Sequence, residues 1–462
     1  MANAESSQPL LAVPRGREGS LDAWTTIVDD ACPVDPALYV EYDVKRGLRD
    51  QTGKGVLAGL TQIGDVIGTA TEGDQLVPAP GQLIYRGIQI EDLVDGFVAQ
   101  GQPGFEETAY LLLFGDLPAK PDLQEFTEYL SGMRKMPRGF IHDGIIRMPS
   151  RDMMNAMMRG VLGLYTLDPQ GSDISTRNLL RQSLHLIAKL PMLAVYSYQC
   201  YLEEFFDKSL VIHRPDPEYS TAENFLHMLR RDSCFTDLEA RLLDVCLVLH
   251  AEHGGGNNSS FTTHVVSSTG TDTYSAMVAA LGSLKGPRHG GANLKVVEMF
   301  DDMRSELTDW EDDEQIADYL HRVLNREAFD RRGLVYGMGH PVYSISDPRT
   351  VILRGYAEQL AAEKGYSEEF ALHARVERIA PLIISAQRRI YKGVSANVDF
   401  YSGLVYRMLD IPAELYTPLF AISRIVGWSA HRLEELTSGS KLIRPAYKSV
   451  APLRSYVPME ER

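Results

Sequence analysis

Thr236-Asp237-Leu238-Glu239-Ala240-Arg241-Leu242-Leu243-Asp244-Val245-Cys246-Leu247-Val248-Leu249-His250-Ala251-Glu252-His253-Gly254-Gly255-Gly256-Asn257 is the run that decides how this chain folds. Leu238, Leu242, Leu243, Cys246, Leu247 and Leu249 recur at helical spacing over a broad apolar face, which predicts a core helix over 236–252. The helix runs out on two histidines and then three glycines, so a packed element ends on polar side chains beside flexible backbone. Working outward, the same period dominates. Residues 176–206 predict a long, largely apolar helix bent near Pro191. Leu111, Leu112, Leu113 and Phe114 close another before Gly115-Asp116-Leu117-Pro118. Between Thr273 and Lys285, Ala276, Ala279, Ala280, Gly282 and Ser283 form a small-residue helix suited to close helix–helix approach, including approach across a subunit boundary. Pro287 forbids its straightforward continuation. Further helices fit 291–306, 312–326, 349–363, 368–391, 398–408 and 414–437. Residues 55–95 are rich in Gly, Val, Ile and Thr, and Gly81-Gln82-Leu83-Ile84-Tyr85-Arg86-Gly87-Ile88 predicts a short strand pair. There is no β-α-β alternation. The expected fold is mainly α, with short β elements near the N-terminus.

At 462 residues the chain is long enough for two domains. Its formal charge is 46 − 62 = −16, with no long basic run, which argues against a nucleic-acid surface. An anionic substrate must therefore be held by a few local arginines against that background. No apolar stretch approaches the ~20 residues of a membrane helix. Cys32, Cys200, Cys234 and Cys246 show no C-x-x-C pairing, as expected of a reduced cytoplasmic protein without a zinc ribbon. The first twenty residues lack both an apolar signal core and an arginine-rich presequence, and residues 1–22 are read as a flexible tail.

Three further strings carry the chemistry: Gly286-Pro287-Arg288-His289-Gly290-Gly291-Ala292-Asn293, Gly337-Met338-Gly339-His340, and Asn397-Val398-Asp399-Phe400-Tyr401-Ser402-Gly403. Each side chain taken alone has a plain structural reading: His289 as a helix cap in a turn, His340 as a satisfied loop histidine, Asp399 as a helix N-cap. Together, two imidazoles and a carboxylate beside glycines supply what is needed to take a proton from carbon next to a carbonyl. His250 and His253 share one helix face, so a metal pair is an alternative; no third ligand follows from a known spacing, and the run is not H-E-x-x-H.

These strings resemble those of the citrate synthase family, which includes 2-methylcitrate synthase. The resemblance covers roughly residues 80–450 and is densest from His250 to Arg444. It implies a large helical domain (residues 23–290 and 411–462), a small domain (residues 291–410) and a symmetric homodimer. It implies condensation of acetyl-CoA with oxaloacetate and water to give citrate and CoA, with no cofactor and no metal. By the same resemblance Asp399 is the base, His289 donates to the thioester carbonyl, and His340 polarises the oxaloacetate ketone. His253, Arg349 in Asp347-Pro348-Arg349, Arg424 in Ser423-Arg424-Ile425-Val426-Gly427-Trp428, and Arg444 in Ile443-Arg444-Pro445 would hold oxaloacetate. Arg444 would come from the partner subunit, and His250 would support from behind.

The chain departs from the family pattern where CoA phosphates are usually held. Ser344 stands where a basic residue is common, Pro341 where bacterial relatives often have Arg, and the segment before Asn397 is longer. Glu252 replaces a more frequent Asp. The CoA candidates are Gly337, Met338, Gly339, Arg332 and Lys392. Propionyl-CoA giving 2-methylcitrate is the first alternative. A metal-dependent hydrolase built on His250 and His253, or a catalytically inactive helical dimer, are alternatives of other classes.

Overall fold

The computed structural model describes residues 18–31, 33–50, 55–73, 75–390, 393–439 and 441–462. The chain divides into two units, Met1–Gly59 and Leu60–Arg462. In the first, Glu18 opens a helix, Glu18–Ala31, so residues 18–22 are its first turn; the rest of the expected tail, residues 1–17, lies outside the described residues. A second short helix, Pro36–Glu41, starts where Asp35 accepts the backbone N–H of Ala37 at 2.8 Å and Pro36 needs no donor.

The second unit carries the helical core. The Asp237–His250 helix begins with a capping box: Thr236 Oγ1 accepts from Glu239 N at 3.2 Å while Glu239 Oε2 accepts from Thr236 N at 2.8 Å. From Leu242 to His250 every residue is buried. The Thr176–Phe206 helix runs through Pro191 without interruption. It is buried on nearly all sides from Gln182 to Ser197 except His185, so packing offsets the hydrogen bond that proline forfeits. The expected helices over 291–306, 312–326, 349–363, 368–391, 398–408 and 414–437 correspond to Ala292–Glu306, Asp313–Leu324, Pro348–Lys364, Ser367–Arg388, Asp399–Met408 and Tyr416–Thr437.

The sheet is larger than a short strand pair. Strands β1 (Gly64–Glu72), β2 (Gln75–Tyr85) and β3 (Ile88–Gln89) form an antiparallel meander, with a register slip between Ile67 and Thr69. Its glycines make room for the loop after His340. A Cβ on Gly68 would lie 2.4 Å from the carbonyl oxygen of Val342, and one on Gly81 would lie 2.2 Å from that of Ser346 and 2.5 Å from the Tyr343 ring. Tyr85, at the end of β2, is fully buried, and its hydroxyl lies 3.1 Å from Val248 O and 3.0 Å from Glu252 O. The sheet thus backs two of the histidine segments at once.

Candidate active site

His340 and Asp399 are brought together by backbone pairing that neither string reveals alone. Gly339 N donates to Ser395 O at 2.8 Å, Asn397 N donates to Gly337 O at 2.9 Å, and Met338 bridges Ala396 in antiparallel fashion. Gly337 (φ +78°) and Gly339 (φ +88°) adopt backbone that other residues resist. Asn397 completes the clasp: its Nδ2 donates to Gly339 O at 2.9 Å and its Oδ1 accepts from Asp399 N at 3.1 Å. The helix that follows takes Val398 as its N-cap, so Asp399 sits at the first helical position and does not serve as the cap. His340 Nδ1 accepts from Val342 N and Tyr343 N, each at 3.1 Å, and its ring stacks on Tyr343 at 4.6 Å. With Nδ1 so occupied, Nε2 is the nitrogen that carries the ring proton.

His289 follows a helix end closed by Gly290 N donating to Leu284 O at 2.9 Å, a turn where a Cβ on Gly290 would meet that same oxygen at 2.5 Å. Its Nε2 lies 3.1 Å from Asn257 Oδ1 and 3.2 Å from Ser259 Oγ, and Ser259 Oγ accepts from Trp428 Nε1 at 3.1 Å. Burial, and then Arg424, push His289 down to about 4, so the ring is neutral at physiological pH. Asp399 moves the other way. Burial outweighs the pull of Arg349 and raises its carboxyl to about 6, well above the value of about 3.9 usual for an aspartate. It is therefore a stronger base than an exposed aspartate.

Around these lie buried side-chain nitrogens without partners. His253 is buried, its Nε2 has no hydrogen-bond partner, and its ring meets His340 edge-on at 5.1 Å. Burial, with Arg349 and His340 beside it, holds His253 well below the ordinary imidazole value. Arg424 is fully buried; its Nε donates to His250 O at 2.6 Å, while both terminal nitrogens lack partners. Burial pushes its guanidinium down to about 10, outweighing the attraction of Glu252, which makes no hydrogen bond to it. Arg424 lies within electrostatic reach of His289, His253 and Asp399, which places three separate sequence strings around one guanidinium. Arg349 is also buried, but Asp347 holds it through a fork of 3.0 and 2.7 Å.

His250 and His253 face different neighbours. His250 Nδ1 donates to Cys246 O at 2.8 Å, and its ring meets Phe420 edge-on at 4.6 Å. Phe420 also lies 4.7 Å under the Arg424 guanidinium and 6.4 Å from His289. Sequence reasoning missed Phe420, since one more aromatic residue in an apolar helix carries no signal, and it missed Tyr343, since an aromatic residue in a loop does not show which ring it will stack on. Ser259 and Asn397 were nearer to legible, because both stand within or beside the quoted strings.

Two candidates are not brought among these groups, and a third cannot be placed. Arg444 is exposed in the segment after the last long helix. Arg332 is exposed and 3.9 Å from Asp330. Lys392 lies outside the described residues.

A helical scaffold that gathers a raised carboxyl, a neutral imidazole and unpaired buried arginine N–H groups defines an enol-forming condensing enzyme. The family model for the citrate synthase C-terminal domain matches residues 51–446, and the chain belongs to the citrate synthase family. The chain is 36% identical over 385 residues to citrate synthase from Synechocystis, covering 83% of this chain and 88% of that one. It is 32% identical to 2-methylcitrate synthase from Shewanella oneidensis, covering 82% and 92%. Citrate synthase from Thermoplasma acidophilum, solved as a ternary complex with carboxymethyl coenzyme A and oxaloacetate, superposes with a TM-score of 0.74 at 28% identity, covering 91% and 99%.

Proposed function

We propose that Asp399, His289 and His340 carry out the condensation of acetyl-CoA with oxaloacetate in the pocket around Arg424. Asp399 takes a proton from the acetyl methyl group as His289 donates a hydrogen bond to the thioester oxygen, so that a neutral enol forms instead of a free enolate. Donation from His289 Nδ1 requires Nε2 to accept, so the Ser259 hydroxyl must turn its proton from Asn257 Oδ1, at 2.9 Å, to His289 Nε2, at 3.2 Å. The enol carbon attacks the oxaloacetate ketone carbon, and His340 delivers a proton to the new alkoxide. Water then cleaves the thioester, releasing CoA and citrate. Arg424, Arg349 and His253 hold the oxaloacetate carboxylates by charge-assisted hydrogen bonds, for which the unpaired nitrogens of Arg424 and His253 are the supporting observation.

In this reading residues 291–410 act as a small domain that closes over bound oxaloacetate and excludes water before condensation. The working unit is a cytoplasmic homodimer in which Arg444 reaches the partner's pocket, and no cofactor is needed beyond the acyl-CoA substrate. Phosphate contacts to CoA fall to Arg332 and Lys392, with Gly337, Met338 and Gly339 lining the approach. Propionyl-CoA is a second reading, supported by the 2-methylcitrate synthase relative; a single methylene is worth only about 1–3 kcal/mol of discrimination. The observation that carries the proposal is that Asp399, His289 and His253 all lie within electrostatic reach of the buried Arg424, whose terminal nitrogens have no partner. Thiol release is the test: purified protein with oxaloacetate should release CoA from acetyl-CoA, and no release from either acyl-CoA would end it.

A further inference from the structure

We infer that Glu252, His431, His264 and Glu435 form a buried, proton-holding strut that positions His253 and keeps Arg424 available to the oxaloacetate dianion. The inference rests on reading the pocket as the oxaloacetate site. Glu252 Oε1 lies 2.9 Å from His431 Nε2, His431 Nδ1 lies 3.1 Å from His264 Nε2, and His264 Nδ1 lies 2.6 Å from Glu435 Oε2. Each of these three contacts needs one proton, and two neutral imidazoles supply only two. The closed chain therefore holds a third. Without it, one of the three contacts would set two lone pairs against each other, either ring nitrogen on ring nitrogen or ring nitrogen on carboxylate oxygen.

The third proton has a definite place. Burial and the neighbouring His431 lower His264 from the ordinary imidazole value, so a neutral His264 accepts from His431 Nδ1 and the third proton lies in the contact between His431 and Glu252. Burial tends to raise the Glu252 carboxyl, but His431 and Arg424 outweigh it and hold it below its ordinary value. Arg86 and Glu434 add charge nearby, and Tyr85 reaches the Glu252 backbone. The surrounding backbone has been cleared for this pair. A Cβ on Gly427 would lie 2.3 Å from Glu252 Oε2, one on Gly64 would lie 2.8 Å from Glu252 Cγ, and one on Gly255 would press both imidazoles at 3.4 Å.

The strut acts on the pocket through one helix. Tyr416–Thr437 carries Arg424, which grips His250 O, and about two turns later His431, which grips the Glu252 side chain. The segment from His250 to Glu252, next to His253, is thus pinned at both ends to the same helix. Glu252 and Arg424 also attract each other, and each has buried atoms without partners: Oε2 on one, both terminal nitrogens on the other. Pairing with His431 keeps the carboxylate from closing on Arg424 and occupying the site meant for substrate. These are positioning residues; none of them touches the reacting atoms.

Calorimetric titration of oxaloacetate tests this on the wild type, His431→Gln, Glu252→Gln/His431→Gln and His264→Leu, each checked for a cooperative thermal transition. His431→Gln is expected to weaken binding about tenfold or more, as the freed carboxylate turns to Arg424, while kcat at saturating oxaloacetate changes much less. The double variant should recover most of the lost affinity, since a neutral amide cannot neutralise Arg424. His264→Leu should weaken binding in the same direction by a smaller factor, and it carries the test if His431→Gln does not fold. Wild-type affinity in the folded single variants, or a double variant no tighter than His431→Gln, would overturn the strut. Thiol release by the wild type tests the pocket assignment separately, so an active wild type with no rescue defeats only the strut.

Discussion

Asp399 is asked to be a base and is placed where charge is costly. Its raised value of about 6 means that the protonated form is favoured in the fold. A folded value above the unfolded one contributes stability at low pH that is lost as pH rises through about 6, so at neutral pH the ionised carboxylate weakens the native state. Asp399→Asn should therefore abolish thiol release while leaving the protein as stable or more so, by on the order of 1–3 kcal/mol in denaturant melts. A clear loss of stability would mean that the carboxylate is held by compensating contacts. The same shift fixes the pH profile. kcat/KM should fall on the acid side with an apparent value of about 6, while His289, at about 4, stays neutral across that limb. An acid limb two units lower would assign the proton to another group.

Among elements, the clasp between 337–339 and 395–397 is the most exposed to single changes. Gly337→Ala places a Cβ 2.9 Å from both Phe400 and Val296 at φ +78°. Strain and overpacking together should cost about 2–4 kcal/mol and lower kcat by displacing His340. Gly355→Ala is the contrast, because that Cβ would meet nothing within 4 Å in the middle of the Pro348–Lys364 helix. It should stabilise by about 0.5–1 kcal/mol. Thermal melts of the two variants moving in opposite directions would bear this out. The contrast also marks what sequence could reveal. The apolar period of 236–252 placed a helix to within two residues, because burial on one face leaves a repeating mark. The clasp leaves none, since Gly337 and Asn397 meet through backbone hydrogen bonds between segments distant in sequence, which no repeating pattern records. The sheet was underestimated for a related reason: β1 faces the loop after His340, and its glycines are there for room. The aspartate's base strength was also out of reach, because it depends on burial by elements distant in sequence.

At the scale of the whole molecule, the proposed homodimer turns on one arginine. Arg444 is exposed, whereas Arg424 and Arg349 are buried in the pocket. If Arg444 completes the partner's site, a mixture of Asp399→Asn and Arg444→Gln chains should regain activity when the two are refolded or expressed together. In such a hybrid one site joins an intact Asp399 to an intact Arg444, and the other carries both lesions. No recovery, with hybrids demonstrated by mass, would mean that Arg444 serves its own chain or none.

Proton removal itself can be watched before any carbon–carbon bond forms. Acetyl-CoA in deuterated water, given with a four-carbon dicarboxylate that lacks the ketone, reports methyl hydrogen exchange by NMR. The wild-type protein should exchange the methyl hydrogens, and Asp399→Asn should not. Exchange at an undiminished rate in that variant would contradict the assignment of Asp399 as the base.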